Sequence, residues 1–141
     1  MNLNIVSFNI RCCDDKNGNS IPERAPRLNK IMADYDIDLI GFQEFVPRWE
    51  EFIKKDFGDK YEFFNKYRAE ANLESVPMLW NKEKFECIKR GYFWLSDTPD
   101  VPGSYFHVDQ SSCPRICALA TLVDRKTSKV FNFANTHLDH I

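Results

Sequence analysis

A chain of 141 residues with 43% hydrophobic and 28% charged residues has the length and composition of one globular domain, which excludes a disordered or low-complexity protein. Its 19 basic residues nearly balance 21 acidic ones, so the sequence excludes nucleic-acid binding through bulk positive charge, and any phosphate contact needs a local site. No apolar run approaches the ~20 residues that cross a bilayer, so we expect no membrane span.

The first part of the sequence predicts a βαβ unit. Residues 3–10 form an apolar, β-rich run without helical period, which predicts a buried strand. Residues 22–35 predict an amphipathic helix, and residues 37–42 predict a second apolar strand. The apolar positions of that helix recur at helical spacing: Leu28, Ile31, Met32 and Tyr35. Two apolar strands around a helix are typical of a sheet that helices cover.

A second helix and five strands are predicted next. Residues 46–57 favour a helix, with Pro47 near its start and Gly58 at its end. The β-rich segments that follow are joined by polar turns. They cover residues 61–67, 76–81, 85–95, 116–123 and 130–136. We expect these strands to form an antiparallel meander added to the mixed sheet, with a long functional or mobile loop over 96–114.

The cysteines and the N-terminus suggest a compartment. Five cysteines include the adjacent pair Cys12 and Cys13. Adjacent cysteines seldom pair with each other, so we expect free thiols in a reducing environment. The N-terminal residues lack the basic-then-apolar design of a signal peptide. The sequence therefore predicts a cytoplasmic protein that is not exported.

Two polar side chains lie at the carboxyl ends of predicted strands, namely Asn9 and Glu44. That edge is where open α/β sheets bind ligands. A glutamate between Phe42 and Phe45 is costly to bury in its ionised form unless it meets a cation or a hydrogen-bond donor. Carboxylate and amide oxygens suit Mg²⁺ or Mn²⁺, so the pair predicts a hard-cation site. An end-of-strand glutamate that faces solvent would give the same pattern.

A second group of polar residues lies near the end of the sequence. If the last strand continues, His137 and Asp139 share one face about 6.6 Å apart. A histidine can donate to a phosphate oxygen, and a carboxylate can fix its tautomer. Arg115 enters an apolar strand from the long loop, and its planar guanidinium suits a phosphate. The alternatives are a frayed polar tail and a surface arginine whose stem covers the sheet.

A zinc site is a further alternative. Cys113, Cys117, His137 and His140 follow the pattern C-x₃-C…H-x₂-H. In an extended strand the two cysteines would be about 13 Å apart. Two thiolates on one zinc ion lie within about 4 Å of each other, so packing in the core is the better interpretation of the cysteines.

Taken in order, five segments resemble the endonuclease/exonuclease/phosphatase superfamily, in particular its small bacterial members and its DNase I-like branch. These segments are SFNIR (7–11), IDLIGFQE (37–44), FWLSDTPDVPGS (93–104), CPRI (113–116) and NTHLDH (135–140). The resemblance implies the N-terminal portion of a four-layer α/β sandwich: a mixed sheet with a βαβ start, an antiparallel meander and helices on the outer face. It also implies Mg²⁺- or Mn²⁺-dependent hydrolysis of a phosphate ester, whether nucleic acid, phospholipid headgroup or small phosphoester.

The same resemblance implies roles for individual residues. Glu44 would ligate the metal with Asn9, which also positions the phosphate. His137 would contact the scissile phosphate, Arg115 would bind it, and Asp139 would complete the catalytic set with His137 and Asn9.

Family members continue after NTHLDH with a Gly-Asp-Phe-Asn-type and a Ser-Asp-His-type motif, which are absent from residues 1–141. We therefore expect a single, truncated domain with a partial active site and little of a second sheet. The alternative is a non-catalytic half-domain that binds metal or phosphate, or that forms a homo-oligomer through an exposed sheet.

Overall fold

The computed structural model describes residues 2–108 and 110–139. Its elements in chain order are β1 (Ile5–Asn9), α1 (Ile21–Ala33), β2 (Leu39–Gln43), α2 (Pro47–Phe57), β3 (Tyr61–Phe64), β4 (Met78–Asn81), β5 (Phe85–Trp94), β6 (Ile116–Asp124) and β7 (Val130–Thr136). Each predicted helix and strand is present, with bounds shifted by a few residues at most ends. Within the described ranges, no helix combines the length and the hydropathy that a membrane crossing needs.

The first sheet is mixed and has the strand order β1-β2-β4-β3. Strands β1 and β2 are parallel, as the βαβ prediction requires, and β4 runs antiparallel to both of its neighbours. The prediction that β1 is buried is wrong, since Ile5 is 55% exposed. The physical reason is that β1 lies at the edge of the sheet, and local hydrophobicity does not reveal a strand's place in the sheet order.

Helix α1 covers the outer face of this sheet together with α2. Its start is fixed by the backbone N–H of Ser20, which donates to the Glu23 carboxylate at 3.0 Å. Leu28 and Met32 are buried as predicted, but Ile31 and Tyr35 are exposed. Tyr35 lies beyond the helix end, so helical spacing could not place it on the buried face. The buried residues with which α1 and α2 enter the core against the first sheet are Ile21, Ala25, Leu28, Met32, Trp49, Ile53 and Phe57.

Strands β5, β6 and β7 form a separate antiparallel sheet. It packs on the inner face of the first sheet, and the core between them contains Leu39, Met78, Trp80, Phe85, Trp94, Ile116, Ala118, Ala120, Leu122 and Phe133. The expectation that little of a second sheet would be present is therefore wrong. The second sheet covers the face of the first sheet that was expected to be exposed. That exposed face was the reason to expect a homo-oligomer, and the structure removes it. The predicted α/β architecture, with its βαβ start, antiparallel meander and outer helices, is confirmed.

A buried polar bridge joins the two sheets. The Asn135 side chain on β7 donates to the carbonyl groups of Phe42 and Pro77 at 2.7 and 2.9 Å, and it accepts from Gln43 Nε2 at 2.8 Å. Gly41 makes room for it, since a Cβ atom there would lie 2.7 Å from Asn135 Cγ. The bridge thus fixes the register of β7 against β2, and the two strands end beside the candidate site.

Candidate functional site

The carboxyl ends of β1 and β2 bring Asn9 and Glu44 together. Asn9 pairs with Gln43 in the parallel register, and Glu44 follows directly. Glu44 and Arg11 both have positive φ angles, 55° and 65°. Such backbone conformations cost on the order of 1–3 kcal/mol in residues other than glycine, and they concentrate at functional sites. Two of them at one sheet edge indicate that the edge is shaped for a ligand.

Hydrogen bonds hold the Glu44 carboxylate in place. Asn9 Nδ2 donates to Oε1 at 2.8 Å, and the Cys12 backbone N–H donates to Oε2 at 3.1 Å. Arg11 Nη1 lies 3.9 Å from Oε2. Burial acts to raise the pKa of Glu44, but the hydrogen bonds from Asn9 and Cys12 outweigh it, and the pKa lies below its ordinary value. The carboxylate is therefore ionised at neutral pH. We call Asn9, Arg11, Cys12 and Glu44 the Glu44 cluster.

The donor set of this cluster suits one kind of metal ion. Mg²⁺ binds through one or two carboxylates and keeps several waters, so an ionised carboxylate with a side chain 19% exposed fits it. Asn9 turns its amide nitrogen to Glu44, and its Oδ1 accepts from the Arg11 N–H at 3.0 Å. As placed, Asn9 orients the carboxylate. The metal-ligand roles of Glu44 and Asn9 stay predictions.

The second group of polar residues gathers where β6 begins and β7 ends. Antiparallel pairing of these strands brings Arg115 close to His137, and both line a narrow crevice with Arg68 and Glu74. His137 Nδ1 lies 3.5 Å from Glu74 Oε1, and Glu74 also accepts from Arg68 Nη2 at 3.0 Å. The sequence suggested Asp139 as the carboxylate that fixes the His137 tautomer, whereas the carboxylate 3.5 Å from Nδ1 in the structure is that of Glu74. The hint it did contain is that Glu74, like Glu44, adjoins an apolar run.

Asp139 belongs to the same group through Arg115. It lies 3.2 Å from Arg115 Nη2, and it accepts from the backbone N–H of Ser111 at 2.8 Å and from its hydroxyl at 2.9 Å. Arg115 is buried, so the interpretation of a surface arginine is wrong. We call the following residues the His137 cluster: Arg68, Glu74, Ser111, Arg115, His137 and Asp139.

Backbone pairing places the two clusters on neighbouring chain segments. Phe45 and Ser75 form an antiparallel bridge, with N–H to carbonyl distances of 3.2 and 2.8 Å. Glu44 precedes Phe45, and Glu74 precedes Ser75, so each carboxylate adjoins the same bridge. The structure thus collects Asn9 and Glu44 in one cluster and Arg115, His137 and Asp139 in the other, and it joins the clusters through one bridge.

The zinc alternative finds no support in the described part of the chain. No group of three or more His, Cys, Asp and Glu side chains there could hold a metal ion. Cys117 is buried in the second sheet, and burial raises the pKa of its thiol. Cys113 is half-buried, and both are free thiols. His140, the remaining residue of the proposed set, lies outside the described residues.

Among the comparisons with known proteins, solved structures are the ones that match this chain. No family model and no curated protein matches the chain. An endonuclease/exonuclease/phosphatase family protein from Bacteroides thetaiotaomicron has a TM-score of 0.88 and 29% identity over 99% of this chain and 52% of its own. The mannosyl-6-phosphatase Bt3783 of the same organism has the same score and identity, with 53% of its chain covered.

A more distant structure shares the fold. TDP2 from D. rerio, complexed with a single-strand DNA product, has a TM-score of 0.72 and 18% identity, and 47% of its chain is covered. The chain spans about half the length of these structures. The fold, the order of the motifs and these similarities place the chain in the endonuclease/exonuclease/phosphatase superfamily.

Proposed function

We propose that this chain supplies the metal-binding and phosphate-binding part of a Mg²⁺-dependent phosphoester hydrolase site. The observation that carries the proposal is the ionised Glu44 carboxylate, which two hydrogen bonds hold at the sheet edge beside the His137 cluster. Phosphatases and nucleases among the similar structures support the reaction class. A bound Mg²⁺ ion would supply Lewis-acid polarisation of a phosphoryl oxygen.

The residues of the chain divide the remaining work. Asn9 and the Cys12 N–H hold Glu44 in the orientation that presents it to a cation. Arg115 lines the crevice with His137, and its planar guanidinium suits the non-bridging oxygens of a phosphate. These donors are fixed before substrate arrives, and so stabilise charge that develops on the phosphate in the transition state.

Glu74 and His137 form a carboxylate–imidazole pair, in which Glu74 Oε1 lies 3.5 Å from Nδ1. The carboxylate favours a proton on Nδ1, which in a neutral ring leaves Nε2 as an acceptor. When the ring carries both protons, Nε2 donates to a phosphate oxygen or to the leaving group. Arg68 holds Glu74 from its other side, so the histidine is oriented by a pair that is itself fixed.

A small phosphomonoester is the substrate class to test first. The phosphatase among the similar structures is 29% identical to this chain, whereas the DNA-bound one is 18% identical. The net charge of −2 gives no long-range attraction for a polyanion. Nucleic acids and phospholipid headgroups are the alternatives, and a panel containing p-nitrophenyl phosphate, a short single-stranded DNA and a short-chain phospholipid separates the three.

The proposal is tested by measuring metal binding and turnover separately. Mn²⁺ binding, followed by electron paramagnetic resonance, is expected for the wild type and is expected to weaken by roughly 100-fold or more in Glu44→Gln. The matched control is Glu51→Gln on the exposed face of α2, which should bind Mn²⁺ like the wild type. Equal Mn²⁺ affinity in wild type and Glu44→Gln, or metal-independent hydrolysis, would overturn the proposal.

A further inference from the structure

We propose that Cys12 and Cys13 form a redox-sensitive vicinal dithiol, which a hydroperoxide oxidises reversibly to a disulfide beside Glu44. The two sulfur atoms already lie 3.4 Å apart. Cys13 is exposed and Cys12 is half-buried, so an oxidant in solution reaches Cys13 first. The function proposed above uses the backbone N–H of Cys12 and neither of the two thiols.

The loop around the dithiol is held from both sides. Arg24 Nη2 donates to the carbonyl of Arg11 at 2.9 Å and to that of Cys13 at 2.8 Å. Trp49 Nε1 donates to the Arg11 carbonyl at 3.0 Å. These contacts fix the backbone before and after Cys12, so the two sulfurs stay close without a search through loop conformations. That closeness favours the ring-closing step over a reaction with a second molecule.

The geometry of adjacent residues explains why the bond would be labile. Consecutive Cα atoms are about 3.8 Å apart, whereas the Cα atoms of ordinary disulfides are about 4.4–6.8 Å apart. A disulfide between neighbours is therefore strained, and strained, exposed disulfides are the easily reduced, regulatory kind. The free thiols expected from the sequence and present in the structure are the reduced form of such a pair.

The oxidation balances with a hydroperoxide as the oxidant. The Cys13 sulfur attacks one peroxide oxygen, the O–O bond breaks, and the leaving oxygen departs as water or alcohol with the thiol proton, which gives a sulfenic acid. The Cys12 sulfur then attacks the Cys13 sulfur, the S–O bond breaks, and water leaves with the second thiol proton. The two sulfurs lose two electrons in total, and the peroxide gains them.

Ring closure has a consequence for the neighbouring carboxylate, and this part rests on the proposed function. The sulfurs must approach from 3.4 Å to about 2.05 Å, which moves the backbone between Cys12 and Cys13. The Cys12 N–H lies in the adjoining Arg11–Cys12 peptide unit and donates to Glu44 Oε2. We expect the displacement of Cys12 to weaken this hydrogen bond, so that Mn²⁺ affinity falls about 10-fold on oxidation.

The test is peptide mapping, which requires neither a metal nor a substrate. Trypsin cleaves after Arg11 and Lys16, so both thiols lie in the peptide CCDDK. After treatment with hydrogen peroxide and alkylation under denaturing conditions, we expect this peptide to lose two hydrogen atoms and to carry no alkyl group. Dithiothreitol should restore two alkylation sites. Cys13→Ser should abolish the change, and Cys87→Ser should leave it intact.

The outcomes separate this inference from the proposed function. A peptide that remains doubly alkylated, or that accumulates sulfinic acid on Cys13 without a disulfide, would overturn the dithiol proposal. A disulfide that leaves Mn²⁺ affinity unchanged would support the modification and overturn its coupling to Glu44. Failure of the reduced protein to bind Mn²⁺ would contradict the proposed function, while the mapped disulfide would still establish the modification site.

Discussion

The Glu44 cluster and the His137 cluster adjoin one backbone bridge but are built in opposite ways. In the Glu44 cluster, neutral amide donors hold one carboxylate at 2.8 and 3.1 Å, and the nearest guanidinium nitrogen of Arg11 is 3.9 Å away. In the His137 cluster, each of the two arginines lies against a carboxylate at 3.0 or 3.2 Å. The first cluster retains negative charge for a cation, whereas the second has neutralised its charges in advance.

This difference indicates a division of labour. A charge that neutral groups hold can still attract an ion of opposite sign, so the Glu44 cluster is suited to bind. Charges that are already paired in a buried place keep a fixed geometry, so the His137 cluster is suited to orient. A phosphate that reaches Arg115 shares the guanidinium with Asp139, which limits how far the arginine can move toward substrate.

The largest expected effect tests whether the two clusters have separate roles, metal binding for the Glu44 cluster and phosphate orientation for the His137 cluster. His137→Ala should lower kcat for phosphoester hydrolysis about 10²–10³-fold while Mn²⁺ affinity stays within a factor of two, because the role proposed for the histidine is contact with phosphate and not with the metal. Glu44→Gln should lower both. Steady-state kinetics and Mn²⁺ titrations on the same preparations measure the two effects. A parallel loss of Mn²⁺ affinity in His137→Ala would show that the clusters are one unit.

The next effect concerns the stability of the His137 cluster. Glu74→Gln removes the charge partner of Arg68, whose side chain is 7% exposed, and we expect a loss of about 3 kcal/mol in the free energy of unfolding. The matched control is Glu86→Gln, since the Glu86–Arg125 pair is exposed and contributes close to nothing. Urea denaturation measures both. Equal losses in the two variants would contradict the view that buried pairing holds this cluster.

The bridge between the sheets supports both clusters at once. Gly41→Ala places a Cβ 2.7 Å from Asn135, which lies two residues before His137, and displaces a side chain with three hydrogen bonds. We expect a loss of about 2 kcal/mol. Gly91→Ala is the control, because a Cβ at Gly91 meets nothing within 4 Å, and it should be neutral or slightly stabilising. Thermal unfolding of both variants decides; similar melting temperatures would show that the bridge tolerates displacement.

The sequence predicted those parts of this arrangement that depend on local pattern. The bounds 130–136 of β7 agree with the structure, because a polar turn precedes the β-rich run and the polar residues His137 and Asp139 follow it. The meeting of Asn9 and Glu44 followed from one rule, that parallel strands of a βαβ unit end at the same edge. The division of the strands into two sheets did not follow, since a strand's partners depend on contacts distant in sequence.

The role of Glu74 shows the same limit within the site. It lies between strands β3 and β4, in a segment whose pattern predicts no contact with residues 137–139. The Phe45–Ser75 bridge and the end of β7 bring Glu74 to His137, and both are tertiary features. Local sequence could therefore identify which residue types were candidates, but not which carboxylate would meet the histidine.

The smallest effect tests how the Glu44 charge is held. Because its folded pKa is depressed, Glu44 contributes stability that is fully present above the ordinary value of 4.5 and is lost as pH falls through the lower folded value. Wild-type stability should therefore fall more steeply below pH 4.5 than that of Glu44→Gln. Asp36 also has a lowered pKa, chiefly through its hydrogen bonds with Lys84 and Lys60.

Salt distinguishes these two causes. Screening weakens the exposed lysine pairs, so the pKa of Asp36 should rise toward its ordinary value as ionic strength increases. The donors to Glu44 are neutral amides, so its pKa should stay low under the same conditions. Carboxyl-detected NMR titrations at low and high salt measure both groups in one sample. A Glu44 pKa that rose with salt as much as that of Asp36 would mean that Arg11, rather than the amide donors, holds the charge, and the contrast between the two clusters would then disappear.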